Sequence, residues 1–270
     1  MNPTHACMIR RRRALLGLAL GPLGAWTQAA PRRLRVATHS LPPYVVAQRG
    51  GPPVGALRDV LDAVIAPQLG LRFEWLPVMS ALRVQRSLMD GSAELAPLLT
   101  LSMAGVRELQ FAEQASMHMD SCVALRPGHP LLQRERVQAA DLHGLRVGTA
   151  LGLVLPPDLD GLPIRWDVVA ANEAERAILT RVSTGQLDAG YFSNPESPRW
   201  SATQWGLALN LRPLDVARRA LFPAFARHVP AAVVARYGAA AAQQFAGEPW
   251  RRTLSAWLGR AGADWAQKPG

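Results

Sequence analysis

The stretch ALRVQRSLMDGSAELAPLLT (Ala81–Thr100) decides how this chain folds. Its first half suits a helix that Ser80 can cap and that carries Leu82, Leu88 and Met89. Gly91 stops that helix, because glycine takes the left-handed conformation in which helices commonly end. ELAPLLT then reads as a short buried strand. Upstream, LRVAT (Leu34–Thr38) is a similar strand, ended by Pro42-Pro43, which cannot continue a ladder. Between the two strands, Leu57, Val60, Leu61, Val64 and Ile65 share one helical face and Gly70 stops it. LRFEWLPV (Leu71–Val78) alternates as a strand. The order β-α-β-α-β predicts an α/β layer with parallel strands, since right-handed helical crossovers join such strands.

The alternation restarts downstream. DSCVALRPGHP (Asp120–Pro130) is one extended run with a turn, and GLRVGTALG (Gly144–Gly152) is a strand ending in a glycine corner. Asn172 and Glu175 have capping-box spacing, before a helix that buries Ala174, Ala177, Ile178 and Val182. QLDAGYF is the next strand. Two helices, Pro230–Ala246 and Pro249–Gly259, close the chain, with Trp250, Leu254, Trp257 and Leu258 on a face that suits a core. DGSAELAPLLT and TGQLDAGYFSN echo each other, each with glycine, two residues and an acid (Glu94, Asp188) before a strand. The pair reads as one helix-to-strand corner used in two similar lobes, in preference to a catalytic pair.

The first 29 residues have the layout of a secretory signal peptide: Arg10 to Arg13, an apolar run ALLGLALGPLGAW, and small residues before Ala30. Without them the charge falls from +10 to 26 − 20 = +6. Lys268 is the sole lysine, and the arginines are scattered without a nucleic-acid motif, so nucleic acid is not an expected partner. Cys122 alone remains beyond the signal segment, which excludes an internal disulfide there.

In α/β sheets, ligands bind beyond the carboxyl ends of the strands. Here those ends carry His39-Ser40 with Tyr44, Thr100-Leu101-Ser102, Gly148 to Gly152, and Tyr191-Phe192-Ser193. The Pro-Pro corner is expected to leave Tyr44 facing a cleft between two lobes, the alternative being a ring packed on its own lobe.

Taken together, LRVATHSLPPYV, VGALRDVLDAV, the opening stretch, DSCVALRPGHPL, DLHGLRVGTALG and TGQLDAGYFSN make the chain resemble the family 3 periplasmic solute-binding proteins of ABC transporters. The resemblance implies two Rossmann-like α/β lobes joined by two crossing strands, the type 2 periplasmic-binding fold. It places the first lobe at residues 34–120 plus 201–259, the second at 121–198, and a tail at 260–270. It also implies a monomer that takes a small-molecule solute into the interlobe cleft and delivers it to a membrane ABC permease, without a cofactor.

The departures narrow the ligand. Amino-acid-binding members hold the carboxylate with a Thr-x-Thr-x-x-Arg segment, and here the aligned stretch TLSMAG puts Gly105 where that arginine belongs. Arg107 could replace it only if the loop shifts. Leu153 stands where a Ser or Thr is usual, and Ser193 where the acid for the ligand ammonium follows the Asp-Ala strand. A buried carboxylate or ammonium without its counter-charge costs several kcal/mol, so the expected solute is not a standard α-amino acid. Tyr44, Leu101, Leu153 and Tyr191 would form apolar walls, and Thr100, Ser102, Thr149 and Ser193 polar contacts. His39 would donate a hydrogen bond, and Arg83 would reach the cleft or lie on a solvated helix face.

Two other classes use the same fold: a sensing or partner protein without transport, and a periplasmic dehydratase-type enzyme. Glu113, Asp120 and Glu196 are the acids at strand ends, but none has a spacing that demands catalysis. MHMD (Met117–Asp120) with Cys122 has soft copper-ligand chemistry but no second cluster to complete a site, so no metal is expected.

Overall fold

The computed structural model describes residues 31–48, 50–101, 107–171 and 173–259. Residues 1–30, on which the expected signal peptide falls, residues 260–270, Ser102, Gly105 and Asn172 lie outside the described residues.

The first lobe begins with β1 (Arg32–Val36). A helical rod follows as α1 (Ala56–Val60), a π-helical turn (Leu61–Ile65) and α2 (Ala66–Leu69). Then come β2 (Leu71–Trp75), α3 (Ala81–Met89) and β3 (Leu95–Thr100). Strand β1 pairs in parallel with both β2 and β3, as the alternation of strand and helix requires. The Gly70 and Gly91 stops are both in the left-handed region, at φ 64° and 76°. Helix α3 buries Val84, Ser87 and Leu88, whereas Met89 is 54% exposed. Val84 and Leu88 are one turn apart on the buried face, and Met89 falls one residue past it.

After the short strands β4 (Gln110–Phe111) and β5 (Met117–Met119), the chain crosses to a second sheet. That lobe contains β6 (Cys122–Leu125), β7 (Val137–Gln138), β8 (Arg146–Ala150) and β9 (Arg165–Val169). It continues with α4 (Ala174–Ser183), β10 (Ala189–Phe192), α5 (Glu196–Trp205) and β11 (Asn210–Asp215). Its strand order is β7-β11-β6-β10-β8-β9, and that of the first sheet is β2-β1-β3-β12-β4 with β5 also on β12. Strand β12 (Arg219–Phe225), α6 (Ala231–Ala246) and α7 (Glu248–Leu258) return to the first lobe.

The return crossing therefore lies after Asp215, not at Ser201 as the sequence boundary had it. Strand β11 pairs antiparallel with β6, Pro213 opposite Cys122, and so belongs to the second sheet. Leu207, Leu209 and Leu211, just ahead of and within that strand, pack against the second lobe's core. Helix α5 carries Pro198 in its first turn, where the missing N–H breaks no helical bond. Its start is held by Asn194, whose side chain accepts from the Ser197 amide at 2.8 Å.

The sequence echo proves structural. Glu94 accepts the Arg35 amide of β1 at 3.1 Å, and Asp188 accepts the Arg146 amide of β8 at 2.8 Å. Each acid ties a helix-to-strand corner to its lobe's central parallel strand, and neither lines the cleft. Leu34, Leu57, Leu61, Phe225 and Tyr237 centre one core in the first lobe, and Val123, Leu125, Val147 and Tyr191 one in the second. Among the described residues, no helix is long and apolar enough to cross a membrane.

Candidate functional site

The two lobes meet where the ends of β1, β3, β8 and β10 converge, and two adjoining chambers lie between them. The larger, about 90 Å³, is bounded by Leu41, Met79, Leu153, Ile178 and Phe192, with Glu175 and Asn194 at its polar edge. The smaller, about 40 Å³, is bounded by Gln85, Thr100, Val154 and Arg219. His39, Leu41, Ala81, Leu153 and Ser193 line both. The lobes touch at this point: a Cβ on Gly152 would stand 3.1 Å from the Leu82 amide nitrogen across the cleft. Gly152 is also at φ 83°, so a side chain there is disfavoured twice.

Arg219 dominates the smaller chamber. It is the first residue of β12, where the second crossing re-enters the first sheet, and is only 6% exposed. Its guanidinium donates to Thr100 Oγ1 at 2.7 Å in the first lobe and to Tyr191 OH at 3.5 Å in the second. Tyr191 OH also lies 3.0 Å from Ser121 Oγ, on the other crossing. One phenol thus joins both crossing segments. The neighbouring positive charge and burial push the His39 pKa down to about 4, burial being the larger cause, so the imidazole is neutral at ordinary pH.

Glu175 on α4 accepts hydrogen bonds from Ser197 and Ser201 on α5. Burial raises its pKa to about 7, against the opposing effect of the two hydroxyls. The sequence spacing had assigned Glu175 to a capping box with Asn172, which lies outside the described residues. Where the structure shows Glu175, it clasps two helices and faces the chamber.

Of the expected ligand-binding residues, the structure brings His39, Thr100, Leu153, Tyr191 and Ser193 together around the chambers. The others go elsewhere. Tyr44 lines neither chamber: its ring stacks on Trp250 of the first lobe with ring centroids 5.3 Å apart, and its hydroxyl bonds to Glu196 on α5 of the second. The close approach of Gly55, whose Cβ would stand 2.3 Å from the Tyr44 carbonyl oxygen, presses that corner onto the first lobe. Leu101 is exposed and lines neither chamber, and Arg83 lies on the solvated face of α3. Arg107 is exposed, and its carbonyl accepts from Arg227. Thr149 is buried, with a hydroxyl that has no hydrogen-bond partner among the described residues.

The acids weighed for catalysis also stand away from the chambers. Asp120 pairs with Arg218 at 2.9 Å, joining the two crossings on the outside, and Glu113 is exposed. Cys122 is buried and donates to the Asn194 carbonyl. Among the described residues no group of three or more His, Cys, Asp or Glu could hold a metal.

Sequence reasoning missed Arg219, Gln85 and Leu41 as cleft residues, whereas Phe192 stands at the strand end it had marked. Arg219 is one arginine among many in the sequence, and only the register Leu221 opposite Thr100 carries it to the cleft.

This arrangement is the two-lobe, type 2 periplasmic-binding-protein fold. Solved structures match it along most of the chain. An ancestral arginine-binding protein bound to arginine has a TM-score of 0.68 at 17% identity, covering 86% of this chain and 100% of that one. The GluR0 ligand-binding core with L-glutamate has a TM-score of 0.69 at 15% identity, with coverage of 86% and 100%. The VFT2 domain of Bordetella pertussis BvgS, a double mutant, has a TM-score of 0.65 at 21% identity, with coverage of 83% and 93%. No family model and no curated protein sequence matches the chain.

Proposed function

We propose that the protein is an extracytoplasmic solute-binding protein that closes its two lobes on a small molecule and delivers it to a membrane ABC permease. The observation that carries this reading is the pair of chambers enclosed by strand ends of both sheets, with Arg219 bonded to Thr100 in one lobe and Tyr191 in the other. Chambers walled by both lobes exist only when the lobes are together, so a solute in them shifts an open–closed equilibrium. The fold is also that of an amino-acid ABC transporter substrate-binding protein, at 14% identity and a TM-score of 0.65. The signal-peptide layout of residues 1–29 accords with export.

The test is a thermal-shift panel of amino acids, carboxylates, amides, amines and sugars, repeated on Leu153→Trp, whose indole fills the space both chambers share. A solute at 100 times its dissociation constant stabilises the native state by about 2.7 kcal/mol. The reading requires at least one stabilising solute whose effect Leu153→Trp abolishes. A shift that survives the substitution would place binding outside the cleft.

A second reading uses the same chambers. A carboxyl with a pKa of about 7 in an enclosed cavity, as at Glu175, meets the condition for a general acid. Recovery of the stabilising solute chemically unchanged after prolonged incubation decides for binding, and conversion that Glu175→Gln abolishes decides for catalysis.

A further inference from the structure

We propose that the solute is a small monocarboxylate with a short apolar chain, its carboxylate on Arg219 and its chain in the larger chamber. This rests on the solute-binding reading above and names the chemistry of that site.

Arg219 is a buried cation whose hydrogen-bond partners, Thr100 and Tyr191, are both neutral. Among the described residues it forms no ion pair, and no acid lines its chamber. His39 and Tyr191, the ionisable groups beside it, are both held neutral and supply no negative charge. A buried charge is ordinarily paired, so this chamber is built for an anion that arrives from outside. A carboxylate suits the planar fork of a guanidinium, which presents several N–H donors beyond the two already engaged.

Further donors stand in reach of the same space. Gln85 and Ser193 line the smaller chamber. Helix α3 opens onto both chambers through Ala81, and its N-cap Ser80 makes no side-chain capping bond, so its first amides stay available to an anion.

The larger chamber fixes the rest of the molecule. Leu41, Met79, Leu153, Ile178 and Phe192 make it apolar. At about 90 Å³ beside about 40 Å³, the closed space suits a handful of heavy atoms, since a cavity of about 150 Å³ takes benzene. Inorganic sulfate or phosphate would leave the apolar chamber empty. An α-amino acid would put its ammonium one carbon from the carboxylate, in the chamber that holds no acid. Glu175 stands in the other chamber, engaged by Ser197 and Ser201.

The test compares isosteres on the unmodified protein by calorimetry and thermal shift: butyrate, isobutyrate and valerate against butyramide and butylamine, with valine, sulfate and phosphate as further arms. The proposal predicts binding by the carboxylates, with the amide weaker by roughly 10- to 100-fold, the loss expected for a hydrogen bond to a charged group. Arg219→Gln should reduce carboxylate affinity by a similar factor and abolish the preference for butyrate over butyramide. Because Arg219 also joins the lobes, the isostere comparison stands by itself if that variant fails to fold. Equal binding of amide and carboxylate, or absence of binding by every carboxylate, overturns the proposal. If amides, amines or sugars bind instead and Leu153→Trp abolishes it, the anion inference falls while the solute-binding reading stands. Tighter binding of sulfate or phosphate than of butyrate also overturns it, because the apolar chamber would then have no part in recognition.

Discussion

The Arg219 guanidinium donates to the Thr100 hydroxyl at 2.7 Å in the first lobe and reaches the Tyr191 hydroxyl at 3.5 Å in the second. The residue stands at the start of β12, where the chain re-enters the first sheet. A hinge strand is a fixed point in a two-lobe closure, because it moves least as the lobes rotate about it. On the proposed solute-binding reading, a recognition group placed there would keep its position as the lobes close.

Gly152→Ala is expected to weaken closure. The new Cβ would stand 3.1 Å from the Leu82 amide nitrogen, and the residue would keep a φ of 83°. The backbone strain alone costs about 1–2 kcal/mol. Calorimetry and small-angle scattering check this: solute affinity should drop and the solution radius should rise, with secondary structure unchanged by circular dichroism.

His39 makes the fold sensitive to acid. Its folded pKa, about 4, lies below the ordinary 6.5, so the unfolded chain binds more protons between those values. Stability is therefore complete above about pH 6.5 and falls as pH drops toward 4, by at most on the order of 3 kcal/mol. His39→Gln should flatten that acid limb in denaturant titrations at pH 7, 6 and 5.

Glu175 acts in the opposite sense. Its folded pKa, about 7, lies above the ordinary 4.5, so the folded state binds more protons in that window. Stability is greatest below about pH 4.5 on this account and falls as pH rises through 7. Glu175→Gln keeps an acceptor for one serine and removes the titration. The variant should gain on the native protein between pH 5 and pH 8, by about 1–3 kcal/mol in chemical denaturation.

Tyr237→Phe should stabilise the protein. The ring sits in the first lobe's core, edge-on to Phe225 at 5.4 Å and to Phe73 at 6.1 Å. Its hydroxyl is buried without a hydrogen-bond partner among the described residues. Removing that group relieves its desolvation and keeps the packing, which is worth about 1 kcal/mol. The midpoint of urea unfolding checks it.

The parallel half of each sheet was legible because glycine stops and apolar spacing mark strand and helix ends locally. Glu94 and Asp188 were legible as paired corners for the same reason, and both bind the backbone of a central strand. The lobe boundary was not legible: α5 and β11 are set by pairing with β6, a contact distant in sequence. The cleft was half legible. Thr100, Leu153, Tyr191 and Ser193 sit at strand ends, which a topological rule locates. Arg219 sits at a strand start, and antiparallel register alone brings it opposite β3. Tyr44 also sits near a strand end, yet stacking on Trp250 takes its ring away from the chambers and its hydroxyl bonds to Glu196 of the second lobe.

The most direct test of the account is methyl nuclear magnetic resonance on the protein titrated with the solute that stabilises it most. The methyls of Leu41, Leu153 and Ile178 line the chambers, while Leu254 and Val234 lie in the first lobe's core away from them. The account predicts shifts at the first three that saturate together, with Leu254 and Val234 unmoved and with Leu153→Trp abolishing the response. Saturating shifts at Leu254 or Val234, with Leu41 and Ile178 silent, would contradict it.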